Sequence, residues 1–87
     1  MAARGEMTRV KLYRAAGCHL CERAREVLDL VRLDLPFELV EVDISGDSVL
    51  ETRYREWLPV VEIDGERAFV YHVDEQGLRR RLSRARP

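Results

Sequence analysis

Short strand-like segments alternate with helical ones along this chain, and that order restricts the fold more than any other feature. Residues 9–13 (RVKLY) alternate polar and apolar side chains, as a half-buried strand does. From His19 to about Leu33, apolar side chains recur at helical spacing, and residues 37–44 (FELVEVDI) predict a second strand. A helical connection between two parallel strands of one sheet is almost always right-handed, so we expect a right-handed parallel β-α-β unit.

The next segment predicts a hairpin. Asp64-Gly65 is typical of a two-residue turn, and it lies between the strand-like segments Val60–Ile63 and Arg67–Tyr71. We therefore expect these two segments to pair in antiparallel fashion.

Two further helices are predicted from their first residues. Ser48 and Glu51 have the spacing of a capping box, which predicts a short helix that ends near Tyr54 or Arg55. Asp74 is a suitable N-cap for a last helix, whose apolar residues are Leu78, Leu82 and Ala85.

The chain is long enough for one domain. Its 87 residues predict an α/β fold with the order β-α-β-α-β-β-α, a four-stranded mixed sheet flanked by three helices. We expect residues 1–7 to be a flexible N-terminus and residues 8–87 to be the domain. No apolar run approaches the roughly 18 residues that span a bilayer, and no secretory signal is evident, so we expect a cytoplasmic protein without membrane contact.

Charge is distributed unevenly along the chain. The net charge is −1, but residues 34–66 hold ten acids against Arg53 and Arg55, whereas residues 72–87 hold five arginines against Asp74 and Glu75. We interpret the basic tail as a solvated helix face whose cations suit the helix dipole. Because the acidic middle would repel a polyanion, nucleic acid is not an expected partner.

Both cysteines, Cys18 and Cys21, lie at the junction of the first strand and first helix. In a β-α-β context a C-x-x-C pair at this position is typical of a redox-active dithiol. At a helix N-terminus Cys18 is expected to be a stabilised thiolate, with a pKa below the usual value of about 8.5. Since Cys21 lies one turn further on, the sequence predicts that Cys18 attacks and Cys21 resolves.

Two other features lie near the dithiol in the predicted fold. His19 could hydrogen-bond the neighbouring thiolate, or it could be an exposed residue of the first turn, and the sequence leaves both readings open. Trp57-Leu58-Pro59 places a proline at the entrance to an apolar strand, where trans is the usual state of an X-Pro bond.

The complete pattern resembles a glutaredoxin over about residues 8–84. More closely, Gly17-Cys-His-Leu-Cys21, Tyr54 ahead of Leu58-Pro59-Val60, and Asp74-Glu75 ahead of the last helix are similar to a bacterial group of glutaredoxin-like proteins. The resemblance implies a thioredoxin/glutaredoxin-like fold with a cis Leu58-Pro59 bond beside the dithiol. It also implies that the Leu58 backbone pairs with a bound disulfide chain in β fashion.

The resemblance also suggests a set of substrate-binding residues, of which Trp57 would flank the groove and Asp74 would face the amino end of glutathione. The full set is His19, Leu20, Trp57, Leu58, Pro59 and Asp74. The chain differs from usual glutaredoxins in three places. His19 replaces a proline, Ala15 replaces a cation, and Tyr71-His72 occupies about the place of paired glycines.

We therefore expect a thiol-disulfide oxidoreductase with no metal and no tightly bound cofactor, for which glutathione is a candidate co-substrate. Expected partners are a disulfide-containing protein or a low-molecular-weight thiol, and a reductase, and the protein is expected to be a monomer.

One alternative is a non-catalytic binding or adaptor module. Another is a glutathione-linked carrier of a cluster that bridges two chains through Cys18. Zinc bound by the cysteines with His19 or His72 is disfavoured, because a second ligand pair is missing.

Overall fold

A computed structural model describes residues 7–85, and it has the predicted order of strands and helices. The elements are β1 (Arg9–Arg14), α1 (His19–Arg32), β2 (Glu38–Asp43), α2 (Ser48–Tyr54), a 3-10 turn (Arg55–Trp57), β3 (Val60–Ile63), β4 (Glu66–Val70) and α3 (Glu75–Ala85). The sheet has the strand order β2-β1-β3-β4, in which β1 is parallel to β2 and the other pairs are antiparallel. The predicted α/β fold with a mixed sheet and three helices is confirmed. Residues 1–6, most of the expected flexible N-terminus, lie outside the described residues.

One face of the sheet packs against α1 and α3 and forms the larger core. The helical spacing noted in the sequence buries one side of α1, because residues three and four apart lie on the same face of a helix. Buried side chains of α1 and α3 meet those of β1 and β3 there: Val10, Leu12, Ala24, Leu28, Val31, Phe37, Val61, Ile63, Val73, Leu78 and Leu82. This core holds α1 firmly against the sheet.

The other face carries a smaller core under α2. Tyr13, Ile44, Tyr54 and Val60 are buried there, and Ala15 and Leu58 are among the partly buried residues that pack against them. We call this group the tyrosine cluster. Ala15 follows β1 and Leu58 precedes β3, so the tyrosine cluster supports the loops at these two strand ends.

Strand register brings three loops to one end of the sheet. Tyr13, near the end of β1, pairs with Val60 at the start of β3, and Val60 pairs with Val70 at the end of β4. The Tyr71 N–H donates a hydrogen bond to the Pro59 carbonyl at 2.9 Å. The loop that leads to Cys18 therefore lies at the same end of the sheet as Pro59 and Tyr71.

The start of α2 differs from the sequence prediction. Its N-cap is Asp47, whose Oδ1 accepts hydrogen bonds from the Val49 and Leu50 N–H groups, both at 3.1 Å. Ser48 is already the first helical residue, and Glu51 accepts the N–H of Gly46 at 2.9 Å. The predicted Ser48 and Glu51 capping box is thus wrong by one residue, because the preceding aspartate is an equally good cap.

The hairpin and the last helix follow their turn residues. Asp64 and Gly65 have φ values of 50° and 87°, the left-handed conformations that a type I′ turn needs. Strand β4 runs over Glu66–Val70 rather than to Tyr71, whose φ of 69° takes it out of the strand. Asp74 accepts the Gly77 N–H at 2.7 Å, so its predicted role as N-cap is confirmed.

None of the helices formed by residues 7–85 has the length and apolar character needed to cross a lipid bilayer.

We predict that Asp47→Ala lowers the free energy of unfolding by about 1 kcal/mol, the usual cost of removing an aspartate N-cap. Ser48→Ala is the matched control and should change it by less than about 0.5 kcal/mol, as for other surface substitutions. Urea denaturation of both variants measures the difference, and a larger loss for Ser48→Ala would contradict the assignment of the cap.

Candidate active site

Cys18 and Cys21 are joined by a disulfide at the start of α1. Their Cα atoms are 5.2 Å apart, a usual separation for a disulfide pair. Cys18 is the residue before the helix, and Cys21 lies in its first turn. The predicted dithiol is therefore close enough in space for reversible oxidation without rearrangement of the backbone.

Cys18 is itself the N-cap of α1. Its backbone is extended, with φ −90° and ψ 105°, and its Sγ accepts the N–H of Cys21 at 3.1 Å. The Cys18 carbonyl accepts the N–H of Glu22 at 3.1 Å, which closes the first turn. Free N–H groups and the positive end of the helix dipole favour negative charge at this position. The geometry therefore favours the thiolate form of Cys18 once the disulfide is reduced.

The two sulfur-bearing residues differ in exposure. Cys18 is half-buried, whereas Cys21 is only 3% exposed and belongs to the buried face of α1. Gly17, with φ 77°, allows the sharp turn between β1 and the helix. An approaching molecule thus reaches Cys18 more readily than Cys21.

The tyrosine cluster lies below the loops of this end of the sheet. The Tyr13 and Tyr54 rings stack with centroids 4.0 Å apart and planes at 18°. Hydrogen bonding with Tyr13, followed by burial, raises the pKa of Tyr54 above its ordinary value. Because Ala15 and Leu58 pack on the same cluster, the cluster supports both the loop before Cys18 and the residue before Pro59.

The segment from Trp57 to Pro59 has both exposed and buried parts. The Leu58–Pro59 peptide bond is cis, and the Pro59 side chain is fully buried. Leu58 is half-buried, whereas Trp57 is 44% exposed. The Trp57 ring lies beside the Tyr71 ring, with centroids 6.0 Å apart. The segment therefore presents one aromatic side chain to solvent and anchors the others.

An exposed apolar surface continues from Tyr71 to α1. A cleft of about 180 Å³ lies between Leu20 on α1 and Tyr71, and His72 also lines it. Leu20 is 50% exposed and Tyr71 45% exposed. We call Leu20, Trp57 and Tyr71 the apolar rim. Of these residues, Tyr71 had no predicted binding role. Its position, about where glutaredoxins have paired glycines, was a signal that could have pointed to it.

Among the predicted site residues, His19 and Asp74 differ from the others in what their side chains contact. His19 is exposed in the first turn of α1, and no hydrogen bond joins its side chain to another residue among 7–85. Asp74 uses its Oδ2 as the cap of α3. The cap accounts for one carboxylate oxygen of Asp74 and leaves the other for a different contact.

A second cleft, of about 370 Å³, opens beside both cysteines on the β2 side of α1, and it is lined by charged residues that the sequence did not single out as a site. Arg14 pairs with Glu41 at 3.0 Å, and Arg25 pairs with Glu41 and with Asp29. Hydrogen bonding with Asp29, together with the charge of Glu41, raises the pKa of Arg25. The Arg25–Glu41 pair connects α1 to β2, and the Arg14–Glu41 pair connects β1 to β2. Sequence periodicity indicated only the Arg25 and Asp29 pair, since Glu41 is distant in sequence.

Among residues 7–85, no group of three or more His, Cys, Asp or Glu side chains is arranged as a set of metal ligands.

The fold and the site together define a class of protein, the thioredoxin-like α/β domains that carry a cysteine pair at the start of the first helix of the β-α-β unit. The chain belongs to the family described as Glutaredoxin-like domain (DUF836), whose model matches residues 9–83. The glutaredoxin-like resemblance seen in the sequence is therefore confirmed.

Individual relatives agree with this membership. An uncharacterized protein of Mycobacterium tuberculosis is 32% identical over 81 residues, which cover 87% of this chain and 84% of the relative. The crystal structure of target protein XcR50 from X. campestris has a TM-score of 0.73 and 32% identity, over 90% of this chain and 99% of the other. Chloroplastic thioredoxin z, at 16% identity and TM-score 0.75 over 95% and 81% of the two chains, shares the fold.

The raised pKa of Tyr54 predicts a loss of stability at alkaline pH. Because the folded state holds this proton more tightly than the unfolded chain, the contribution is complete below about pH 10. It is lost as the pH rises through the higher pKa of the folded state. Urea midpoints measured from pH 7 to 11 should fall less steeply for Tyr54→Phe, which keeps the ring stack, than for the natural chain.

Tyr71→Phe is the control for this experiment, since it removes an exposed hydroxyl. Its alkaline decline should match that of the natural chain. Parallel declines for Tyr54→Phe and the natural chain would show that the Tyr54 hydroxyl contributes nothing.

Proposed function

We propose that this protein is a thiol-disulfide oxidoreductase whose reacting groups are Cys18 and Cys21. One observation carries the proposal: the more exposed sulfur, Cys18 Sγ, is held by a backbone N–H at a helix N-terminus and is bonded to a buried partner one turn away. Such an environment suits a sulfur that attacks and leaves as a thiolate.

The reduction of a substrate disulfide proceeds in two exchanges. The Cys18 thiolate attacks one substrate sulfur, a Cys18–substrate bond forms, and the other substrate sulfur leaves as a thiolate. Cys21 then loses its proton and attacks Cys18 Sγ, which releases the second substrate thiolate and forms the Cys18–Cys21 disulfide. Two electrons pass from the protein to the substrate, and the two substrate thiolates take up two protons, one that Cys21 releases and one from solvent.

The apolar rim and the cis-proline segment support a protein disulfide as the substrate. We assign substrate contacts to His19, Leu20, Trp57, Leu58, Pro59 and Asp74, with Tyr71 added because it joins Leu20 to Trp57 in the rim. The Leu58 backbone would pair with an extended substrate chain, and the exposed rim would contact side chains beside the substrate cysteine.

The electrons must be replaced after each turnover. We propose that glutathione, as a low-molecular-weight thiol, or the dithiol of a reductase restores the Cys18–Cys21 pair. The second Asp74 oxygen is a candidate acceptor for the amino group of glutathione. We further propose that the protein works as a monomer in the cytoplasm, where a close cysteine pair serves exchange rather than structure.

We predict that Cys21→Ser accumulates a mixed disulfide through Cys18. The buried cysteine that would release the product is then absent, so the first covalent intermediate persists. Incubation with oxidised insulin, followed by non-reducing electrophoresis and mass spectrometry, should show a covalent complex that dithiothreitol separates by reducing the mixed disulfide. The natural chain should show little of it.

Cys18→Ser is the matched control and should form no complex, because Cys21 is buried. Retention of non-covalent insulin binding by Cys18→Ser, together with no insulin reduction by the natural chain, would support the adaptor alternative instead. A complex through Cys21 would reverse the assigned roles.

We predict that Trp57→Ala lowers the rate of insulin reduction about three- to tenfold, as expected for loss of an exposed aromatic contact worth roughly 1 kcal/mol. The rate with hydroxyethyl disulfide, which is too small to contact the rim, should change less than about twofold. Val49→Ala, at another exposed apolar position, is the control and should leave both rates unchanged. An equal loss with both substrates would indicate a structural role for Trp57.

A further inference from the structure

A shallow groove runs along the side of the domain between the edge strand β4 and helix α3. Its volume is about 210 Å³, and its lining residues are Ala68, Phe69, Gly77, Arg80, Arg81 and Arg84. We call it the β4–α3 groove. It contains neither cysteine and none of the apolar rim, so any ligand of this groove is separate from the chemistry proposed above.

The groove differs from the other clefts in charge. The cleft beside the cysteines combines Arg14 and Arg25 with three glutamates, and the cleft near Met7 combines Arg9 and Lys11 with three acids. In contrast, the lining of the β4–α3 groove has three arginines and no acid. The groove is therefore cationic, although the chain as a whole has a net charge of −1.

The arginines of the groove have little ion pairing. Within residues 7–85, five arginines pair with carboxylates at 3.2 Å or less (Arg9, Arg14, Arg25, Arg55 and Arg79), whereas four outside the groove have no ion pair (Arg23, Arg32, Arg53 and Arg67). Within residues 7–85, Arg80 and Arg84 have no such pair. Arg81 has only Glu66, at 3.9 Å, whose side chain is 83% exposed. Two carboxylates lie nearby, since Glu66 faces Arg81 and Asp74 caps the turn that contains Gly77. Three arginines against these two acids leave the groove with net positive charge.

The helix dipole explains only part of this arrangement. Arg84 is in the last turn of α3, where a cation is favoured. Arg80 and Arg81 are in the middle of the helix, beyond the reach of that effect.

The floor of the groove is apolar. Phe69 is partly buried, and a Cβ on Gly77 would lie 3.5 Å from the Phe69 ring and 2.9 Å from the capping oxygen of Asp74. Glycine here leaves room for the Asp74 cap, while the Phe69 ring lies at ordinary contact distance from this turn. The result is an aromatic floor with guanidinium groups beside it, which suits a ligand that has carboxylates around an apolar side chain.

We propose that the β4–α3 groove binds an acidic segment of a partner protein, which places an apolar side chain over Phe69 and carboxylates against Arg80, Arg81 and Arg84. Charge complementarity selects this occupant. Nucleic acid fits less well, because Arg80 and Arg84 are only about 6 Å apart along the helix axis, so the groove offers a short stretch of positive charge rather than a long track for phosphates.

The probe is an acetylated, amidated ten-residue peptide of glutamates with one central leucine. Titration of the isotopically labelled full chain at 50 mM salt should shift the backbone amide resonances of Ala68, Phe69, Gly77 and the three groove arginines. Binding should weaken severalfold at 300 mM salt, because exposed charges are screened. A peptide in which every glutamate is replaced by glutamine should bind at least about tenfold more weakly.

The double variant Arg80→Gln/Arg84→Gln should reduce the affinity of the glutamate peptide about five- to tenfold, from two exposed charge contacts. The control Arg23→Gln/Arg53→Gln removes the same charge elsewhere and should reduce it less than about twofold. Equal losses in the two variants, equal binding of the glutamine peptide, or shifts outside the groove would overturn the proposal. Tighter binding of a ten-nucleotide single-stranded DNA at these residues would also overturn it.

Insulin reduction by Arg80→Gln/Arg84→Gln should be unchanged, which separates this test from that of the redox proposal.

Discussion

The position of β1 between β2 and β3 is the constraint on which the rest of this structure depends. Its parallel pairing with β2 requires the α1 crossover, and its antiparallel pairing of Tyr13 with Val60 sets the start of β3. As a consequence, the loop that leads out of β1 and the loop that leads into β3 lie at one end of the sheet. A shift of one residue in this register would turn the core side chains of β1 to the other face.

The helix that begins at this end has a cysteine where most helices have serine, threonine or aspartate. Elsewhere in the chain, Asp47 and Asp74 occupy the equivalent positions and satisfy N–H groups with carboxylates. A sulfur atom in this place performs the same structural task and also acquires the electrostatic environment of the helix end. The hydrogen bond that caps the helix is therefore also the one that the proposed reaction of Cys18 uses, and Cys21 lies on the buried face of the same helix.

Local patterns predicted the elements well because their causes are local. Hydrophobic periodicity placed α1 and the strands, and Asp64-Gly65 predicted the hairpin through its left-handed backbone. The cap of α2 was assigned one residue late, since Asp47 and Ser48 are both good caps and only the backbone path chooses between them. The bond between Arg25 and Glu41 was not predictable, because it joins residues that the fold alone brings together.

The amino-acid sequence by itself determined the order of elements, the dithiol at a strand-to-helix junction and the likeness to glutaredoxins, because each depends on residues close together in the chain. The tertiary structure decided which surfaces those residues share. Only it joined Trp57 to Tyr71 and Tyr71 to Leu20 in one rim, and only it placed three arginines in the lining of the β4–α3 groove with no acid among them. Those relations depend on strand register and helix packing, which place distant residues side by side and which no short segment encodes alone.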